Sequence, residues 1–258
     1  MRDAACEAAR GAGALVRDAF GKVREYRSKG RSVDLVTEVD RAAEACIARF
    51  LEQRFPEHGL LAEEGTRRPA AADQPLWIVD PLDGTTNFAH ALPVVAVSIG
   101  VVQHDRVVAG AIYDPLRDEL FAAGRGHGAQ LNGAKLAVSA TPTLERSLVA
   151  TGFPYDRRER AAYYVAFWQA VMTRAQELRR LGAAAIDLAW VAAGRFDAYW
   201  ELNLKPWDLA AGTLIVAEAG GRVSDHQGAA VDLGAGNIVA SNGHVHDELL
   251  AVLRGVPQ

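Results

Sequence analysis

The sequence predicts a mixed α/β fold. Three observations carry it: apolar residues recur at helical spacing over 4–23, Val- and Ile-rich runs fill 94–114, and the second half alternates short strand-like runs with helical stretches. At 258 residues the chain can form one large domain or two interleaved halves, with a sizeable buried core. It is 50% hydrophobic and 23% charged, an ordinary globular balance that sets aside disordered and fibrous classes.

The elements follow in order. Ala5, Ala8, Ala9, Ala12, Leu15, Val16, Ala19, Phe20 and Val23 form one helical stripe, and a loop is expected over 28–34. A second helix starts near Thr37, with Val39, Ala43, Cys46, Ile47, Phe50 and Leu51 on its apolar face. Thr37 with Asp40 three residues on reads as a capping box. Strands are expected at 76–80, 94–102, 106–114 and 119–123, and Asn132-Gly133 reads as a two-residue hairpin turn. A strand at 147–151, a helix over 159–177 and a strand at 177–181 follow. Next come a helix at 184–193 stopped by Gly194, a strand at 196–202, and a helix at 206–221 between Pro206 and Gly220-Gly221. Two short strands, at 222–224 and 237–241, and a helix at 245–253 close the chain. No repeat or linker-like composition interrupts it, so halves 1–142 and 143–258 are expected to pack as one unit.

Composition narrows the function classes. The net charge of −4 argues against a basic nucleic-acid-binding surface. No apolar run approaches the ~18 residues of a membrane helix, and MRDAACEAARGAG lacks the plan of a signal peptide. Cys6 and Cys46 form no CxxC pair and sit on apolar stripes, so they read as core filler rather than a disulfide or zinc site. A cytoplasmic protein is expected. No histidine has metal-ligand spacing beside an acid cluster. His90 is expected to pack or line a site mouth, His244 and His246 to lie on a surface loop, and Trp200 and Trp207 to be core or rim aromatics.

The most informative string is DPLDGTTN at 80–87, which begins where an apolar strand ends. Sites in open α/β sheets collect just beyond strand ends. Two carboxylates as close as Asp80 and Asp83 repel unless one is protonated or a cation lies between them. An oxygen-only cluster favours magnesium or manganese over zinc. Gly84 permits close backbone approach, and a helix or turn starting at Thr85 would present free N–H groups to a phosphate. Two further acidic strings lie far off. Taken alone, Glu63-Glu64 reads as a solvated turn and Asp208 as a helix N-cap beside Pro206.

Taken together, DLVTEVD (34–40), LAEEG (61–65), WIVDPLDGTTNFAH (77–90) and PWDLAAGTLIVAEAGG (206–221) resemble the inositol monophosphatase family, magnesium-dependent and lithium-sensitive sugar phosphatases. TGFP (151–154), LGAAAIDLAWVAAGRFDAYWE (181–201) and NLKPWD (203–208) support the match, which runs from residue 29 to about 221. The resemblance implies a layered αβαβα sandwich and a homodimer. It implies two or three Mg²⁺ ions held by Glu63, Asp80, Asp83, Asp208 and the Leu82 carbonyl, with Glu63 also counted in the catalytic set. Asp40 and Thr85 fall on the pair that orients the attacking water. Gly84 and Thr85 fall where backbone N–H groups meet the phosphate. Glu201 and the backbone near Ala184 fall where substrate hydroxyls are read, and Asp83 and Asp208 also face substrate. The implied reaction is metal-assisted hydrolysis of a phosphate monoester without a covalent intermediate.

This sequence departs from the family pattern in places. Glu64 follows the ligand position and fits a supporting role. Lys205 stands where animal members carry another residue, and NLKPWD looks like the bacterial branch. TGFPYDRR does not align clearly with the animal substrate loop. Lys29 lies at an often-basic position; it could steer phosphate, although an ordinary exposed lysine is the simpler reading. Thr86-Asn87-Phe88 resembles the form found in inositol phosphatases, which favours inositol 1-phosphate. Related branches cleave histidinol phosphate, fructose 1,6-bisphosphate or phosphoadenosine 3′-phosphates. Some bacterial relatives also serve the ribosomal RNA synthesis machinery. Arg157-Arg158-Glu159-Arg160 could dock such a partner, although a solvated helix start is the simpler reading.

Overall fold

The computed structural model describes residues 1–22, 27–28 and 35–256. Val23, Lys29 and most of the expected loop lie outside them. The chain opens with α1 (Arg2–Ala19), β1 (Arg27–Ser28), β2 (Leu35–Val36) and α2 (Glu38–Arg54). α1 stops short of its expected end, and Gly21 beyond it takes φ +74. At α2 the capping box is present: the Thr37 hydroxyl accepts from Val39 N at 3.1 Å, and Asp40 Oδ2 accepts from Thr37 N at 2.8 Å. Such a cap contributes about 1 kcal/mol.

Next come β3 (Gly59–Ala62), β4 (Arg67–Arg68), β5 (Leu76–Asp83), α3 (Thr85–Ala89), β6 (Ala96–Gln103), β7 (Arg106–Asp114), β8 (Glu119–Gly124), β9 (Ala129–Leu131) and β10 (Ala134–Lys135). Asn132 and Gly133 both have positive φ, as a tight hairpin turn between β9 and β10 requires. The second half holds β11 (Leu148–Thr151), α4 (Ala161–Met172), β12 (Glu177–Arg179), α5 (Ala184–Ala192), β13 (Ala198–Glu201), α6 (Pro206–Glu218), β14 (Arg222–Ser224), β15 (Ile238–Ser241) and α7 (His246–Arg254). α4 is shorter than expected. No side chain caps its start, and after Met172 the chain turns so that Gln176 N donates to Ser147 O, beginning the approach to β11.

Among the described residues the main strands form two sheets. One has eight strands in the order β10-β9-β8-β7-β6-β5-β3-β4, antiparallel except where β3 and β5 run parallel. The other has five, β12-β11-β13-β15-β14, with β12, β11 and β13 mutually parallel. Three apolar clusters define the layers. α1 and α2 cover one face of the eight-stranded sheet through Ala9, Val16, Ile47 and Leu51 against Trp77, Val97 and Ile99. α5 and α6 lie between the sheets, joining Ile112 and Phe121 to Tyr199 and Ala240. α4 and α7 cover the far side of the five-stranded sheet through Phe167, Val171, Leu249 and Leu253. The layering is therefore αβαβα.

The middle layer sits close to the first sheet because glycines admit it. A Cβ on Gly100 would lie 2.5 Å from Ala210 Cβ, and one on Gly110 would lie 2.9 Å from Ala211 Cα. This contact carries the start of α6 to the end of β5, where the acidic string lies.

Candidate active site

β5 does not run straight through its two acids. Asp80 pairs with Ser98 and Asp83 with Ala96, so the register shifts by one residue between them. A regular strand would send side chains three residues apart to opposite faces. The bulge brings Asp80 and Asp83 to the same cleft, and Pro81, which has no ladder N–H, is tolerated there. Asp80 Oδ1 accepts from Leu82 N at 2.9 Å, which stiffens the bulge.

Other elements bring the remaining groups. Ser98, the partner of Asp80, donates its hydroxyl to Trp207 O at 3.1 Å and so pins the first turn of α6. Asp208 therefore faces the same cleft. It is the third residue of α6 rather than its N-cap; Lys205 is the cap, and its N–H donates to Asp208 Oδ2 at 2.7 Å. Glu63 follows β3 at the turn expected of it. Buried Glu44 of α2 holds that turn by accepting from Glu64 N at 2.6 Å and Thr66 N at 2.9 Å. The sequence reading missed Glu44, whose contact spans 20 residues and leaves no local pattern.

Gly84 caps α3 in the left-handed region at φ +86, and a Cβ there would lie 2.7 Å from Val94 O. Thr85 Oγ1 lies 2.9 Å from Asp40 Oδ1 and 3.1 Å from Leu82 O, so its single proton can go to either. Asp40 thus caps α2 with one oxygen and reaches Thr85 with the other. Asp83 Oδ2 accepts from Ala185 N at 2.7 Å, so the start of α5 is committed to this carboxyl, while Ala184 lines the cleft. Glu201 enters from the end of β13, and Tyr199 donates its hydroxyl to Glu201 Oε2 at 2.5 Å.

One open cleft is lined by Glu63, Asp80, Leu82, Asp83, Gly84, Thr85, Ala184, Glu201 and Asp208. Asp40 stands behind Thr85, 1% exposed. Every site residue named from the sequence is thus at the cleft or one hydrogen bond behind it. His90 is exposed at the end of α3 and does not line the cleft. His246 corrects its expectation. It is buried at the start of α7, with its ring between the Ser224 and Ser241 hydroxyls at 2.9 Å each, because β14, β15 and α7 close over it. Arg157 lines the cleft, whereas Arg158, Glu159 and Arg160 are exposed and Arg160 is the N-cap of α4, as a solvated helix start requires. Trp200 is core and Trp207 half-buried.

Electrostatics sets the cleft apart. Burial, then the charges of Glu63, Asp83 and Asp208, hold the Asp80 carboxyl well above its usual range. Asp208 is raised likewise, by burial and then by Asp83 and Glu63. Burial pushes Asp83 up to about 7 against the lowering effect of the Ala185 N–H, and pushes Glu201 up to about 7 although Tyr199 opposes it. Asp187 of α5 was also missed by the sequence reading. It is 1% exposed, neither of its carboxyl oxygens has a hydrogen-bond partner, and burial raises it well above the usual range.

Among the described residues no three His, Cys, Asp or Glu side chains stand as a ready-made metal cage. Asp80 and Glu63 hydrogen-bond to each other instead. The donor set nevertheless fits a hard divalent cation: crowded carboxyls that retain protons for want of positive charge are the groups such an ion would take over.

Layered sheets with an acid-lined cleft at the bulged end of a central strand define an α/β sandwich protein with a small-molecule site. The inositol monophosphatase family model matches residues 1–258, and the chain belongs to this family. It is 46% identical over 254 residues to an inositol-1-monophosphatase of Synechocystis, covering 98% of this chain and 88% of the relative. It is 44% identical over 256 residues to the Nus factor SuhB of Escherichia coli, covering 98% of this chain and 96% of the relative. Among solved structures, the extragenic suppressor protein suhB of Bartonella henselae superposes with a TM-score of 0.94 at 42% identity, covering 98% of both chains. The inositol monophosphatase of Anabaena superposes at 0.90 and 41% identity, covering 99% of this chain and 96% of that one.

Proposed function

We propose that this chain hydrolyses phosphate monoesters of polyols with Mg²⁺, inositol 1-phosphate foremost. The observation that carries the reading is the convergence of Glu63, Asp80, Asp83 and Asp208, from three separate elements, on one cleft beside the Asp40–Thr85 pair. These four acids and the Leu82 carbonyl would hold two or three Mg²⁺ ions, which supply Lewis acidity and offset the charge of a dianionic phosphate.

The chain's own groups do the rest. Asp40 accepts the Thr85 proton, which leaves the Thr85 oxygen free to accept from a water and aim it. The Asp40 carboxylate is held for this by Thr37. The N–H groups of Gly84 and Thr85 face the phosphoryl oxygens, where they are rigid because Gly84 alone fits its turn. Glu201, braced by Tyr199, reads a substrate hydroxyl. The two halves, 1–142 and 143–258, divide this labour: the first carries most metal ligands, the second Asp208 and the hydroxyl-reading groups. A cytoplasmic homodimer completes the reading.

The test is phosphate release from inositol 1-phosphate, histidinol phosphate, fructose 1,6-bisphosphate and phosphoadenosine phosphate with Mg²⁺, with and without EDTA. Inositol 1-phosphate should lead, and EDTA should abolish release. A different leading substrate overturns the substrate alone. No release at any Mg²⁺ concentration overturns the hydrolase reading.

A second reading is favoured by the relatives named Nus factor SuhB, which match at 42–46% identity, close to the 46% of the named phosphatase. In it the chain also serves, without catalysis, the machinery that makes ribosomal RNA. Purified transcription complexes that retain an Asp83→Asn protein would support that role; loss of binding in parallel with catalysis would count against it.

A further inference from the structure

The TGFP string at 151–154 has no part in the reaction above, yet from Gly152 on it lines the cleft. Its residues have distinct local tasks. The Thr151 hydroxyl donates to Trp200 O at 2.7 Å and locks the end of β11 to β13, where the two strands pair in parallel. That register sets Gly152 beside Glu201, one residue beyond the Thr151–Trp200 pair. Phe153 packs its ring against Trp168 of α4, with centroids 6.0 Å apart, so the backbone at Gly152 is held on both sides.

Gly152 takes no left-handed φ, so backbone strain does not explain a glycine there. Space does. A Cβ at this position would overlap the Glu201 carboxyl, falling inside contact distance of Cδ and both oxygens. Gly100 and Gly110 differ, because what a Cβ would meet there is α6 itself. At Gly152 the obstructed group is the end of a long side chain, which can move where a helix cannot. Tyr199 keeps it in place, with its hydroxyl 2.5 Å from Glu201 Oε2, which leaves Oε1 to accept from a substrate hydroxyl. A displaced Glu201 would break that bond and strand the fully buried Tyr199 hydroxyl.

We propose that Gly152 is a specificity-determining position: its missing side chain seats the Glu201 carboxyl against the end of β11, where it meets a hydroxyl of the leaving group. Gly152 touches no reacting atom and acts through Glu201, as a positioning residue. The proposal rests on the phosphate-ester reading above and deepens it. Preference for a hydroxylated leaving group then depends on an absent atom, one strand away from the carboxylate that does the reading.

The test compares inositol 1-phosphate with phenyl phosphate, a ring ester whose leaving group carries no further hydroxyl. Gly152→Ala should lower the ratio of their kcat/KM values by about tenfold or more, the scale of one charge-assisted hydrogen bond. In a Glu201→Ala background the same substitution should leave the ratio within about twofold, because the group it displaces is gone. A ratio that Gly152→Ala leaves at its wild-type value, or an equal fall in both backgrounds, overturns the proposal. If Gly152→Ala does not fold, Gly152→Ala/Glu201→Ala decides: recovery of the fold supports the coupling, and failure of both variants overturns it. If neither ester is hydrolysed, the phosphatase reading fails separately, and the ratio is read from the calorimetric Kd values of the same two esters. A ratio that falls only where Glu201 is present supports the proposal; one that does not move overturns it.

Discussion

Asp114 and Asp197 are buried as Asp80 and Asp83 are, yet they keep different company. Asp114 accepts from the N–H groups of Leu116 and Arg117 and pairs with the Arg117 guanidinium at 2.7 Å. Asp197 accepts from Ser139 Oγ at 2.5 Å and Leu148 N at 2.7 Å, tying the approach to β13 to β11. These acids are surrounded by donors, as structural carboxylates should be. In the cleft, Asp80, Asp83 and Asp208 face one another and Glu63, and the Asp187 carboxyl behind them has no hydrogen-bond partner. A fold that satisfies its carboxylates elsewhere and crowds them here is holding them for something that arrives from outside.

The contrast can be broken most forcefully at Asp83. Asp83→Asn should lower turnover by roughly a thousandfold or more, the equivalent of several kcal/mol of charge stabilisation. The metal-free protein should at the same time melt no lower than wild type, because a crowded acid has been removed. Near-normal turnover at saturating Mg²⁺ would end its assignment. Asp197→Ala should do the opposite. It leaves Leu148 N and Ser139 without their acceptor and should cost about 3 kcal/mol in urea unfolding, with turnover per folded molecule unchanged. Thr85→Ala should lower kcat by about a hundredfold while changing Mg²⁺ affinity little, read by kinetics beside calorimetry. The reverse split would deny it the water-orienting role.

The smallest effect concerns pH. The pKa values of Asp83 and Glu201 are raised in the fold from 3.8 and 4.5 to about 7. The native state therefore keeps protons that the unfolded chain releases, and the metal-free protein should lose stability as pH rises from about 4 through 7. Mg²⁺ takes ionised carboxylates, so it should raise the melting temperature more at pH 8 than at pH 5.5. Equal shifts at the two pH values would mean that these acids do not gate the ion.

Much of this was legible locally. The Thr37–Asp40 cap, the strands at 106–114 and 119–123 and the Asn132-Gly133 turn follow from spacing and turn chemistry, and all stand in the structure. The Asp80–Asp83 string was conspicuous because acids rarely end an apolar run without purpose. Glu44, Asp187 and the burial of His246 were not legible. Each owes its role to neighbours brought by distant segments: the turn after β3, the end of β13, and two serines on β14 and β15. Short strands such as β4 and β12 escape or blur for the same reason, since pairing rather than composition makes them.

The bulge in β5 makes the cleft depend on arithmetic as well as on residue type. Inserting one residue into β6 between Ala96 and Ser98 would leave both aspartates in the chain and restore an unbroken ladder, yet turn one of them to the opposite face of the sheet. No substitution at either position could repair that. Evolution along this strand is then free to exchange side chains, but a change of count is a change of parity, and parity here decides whether two acids meet.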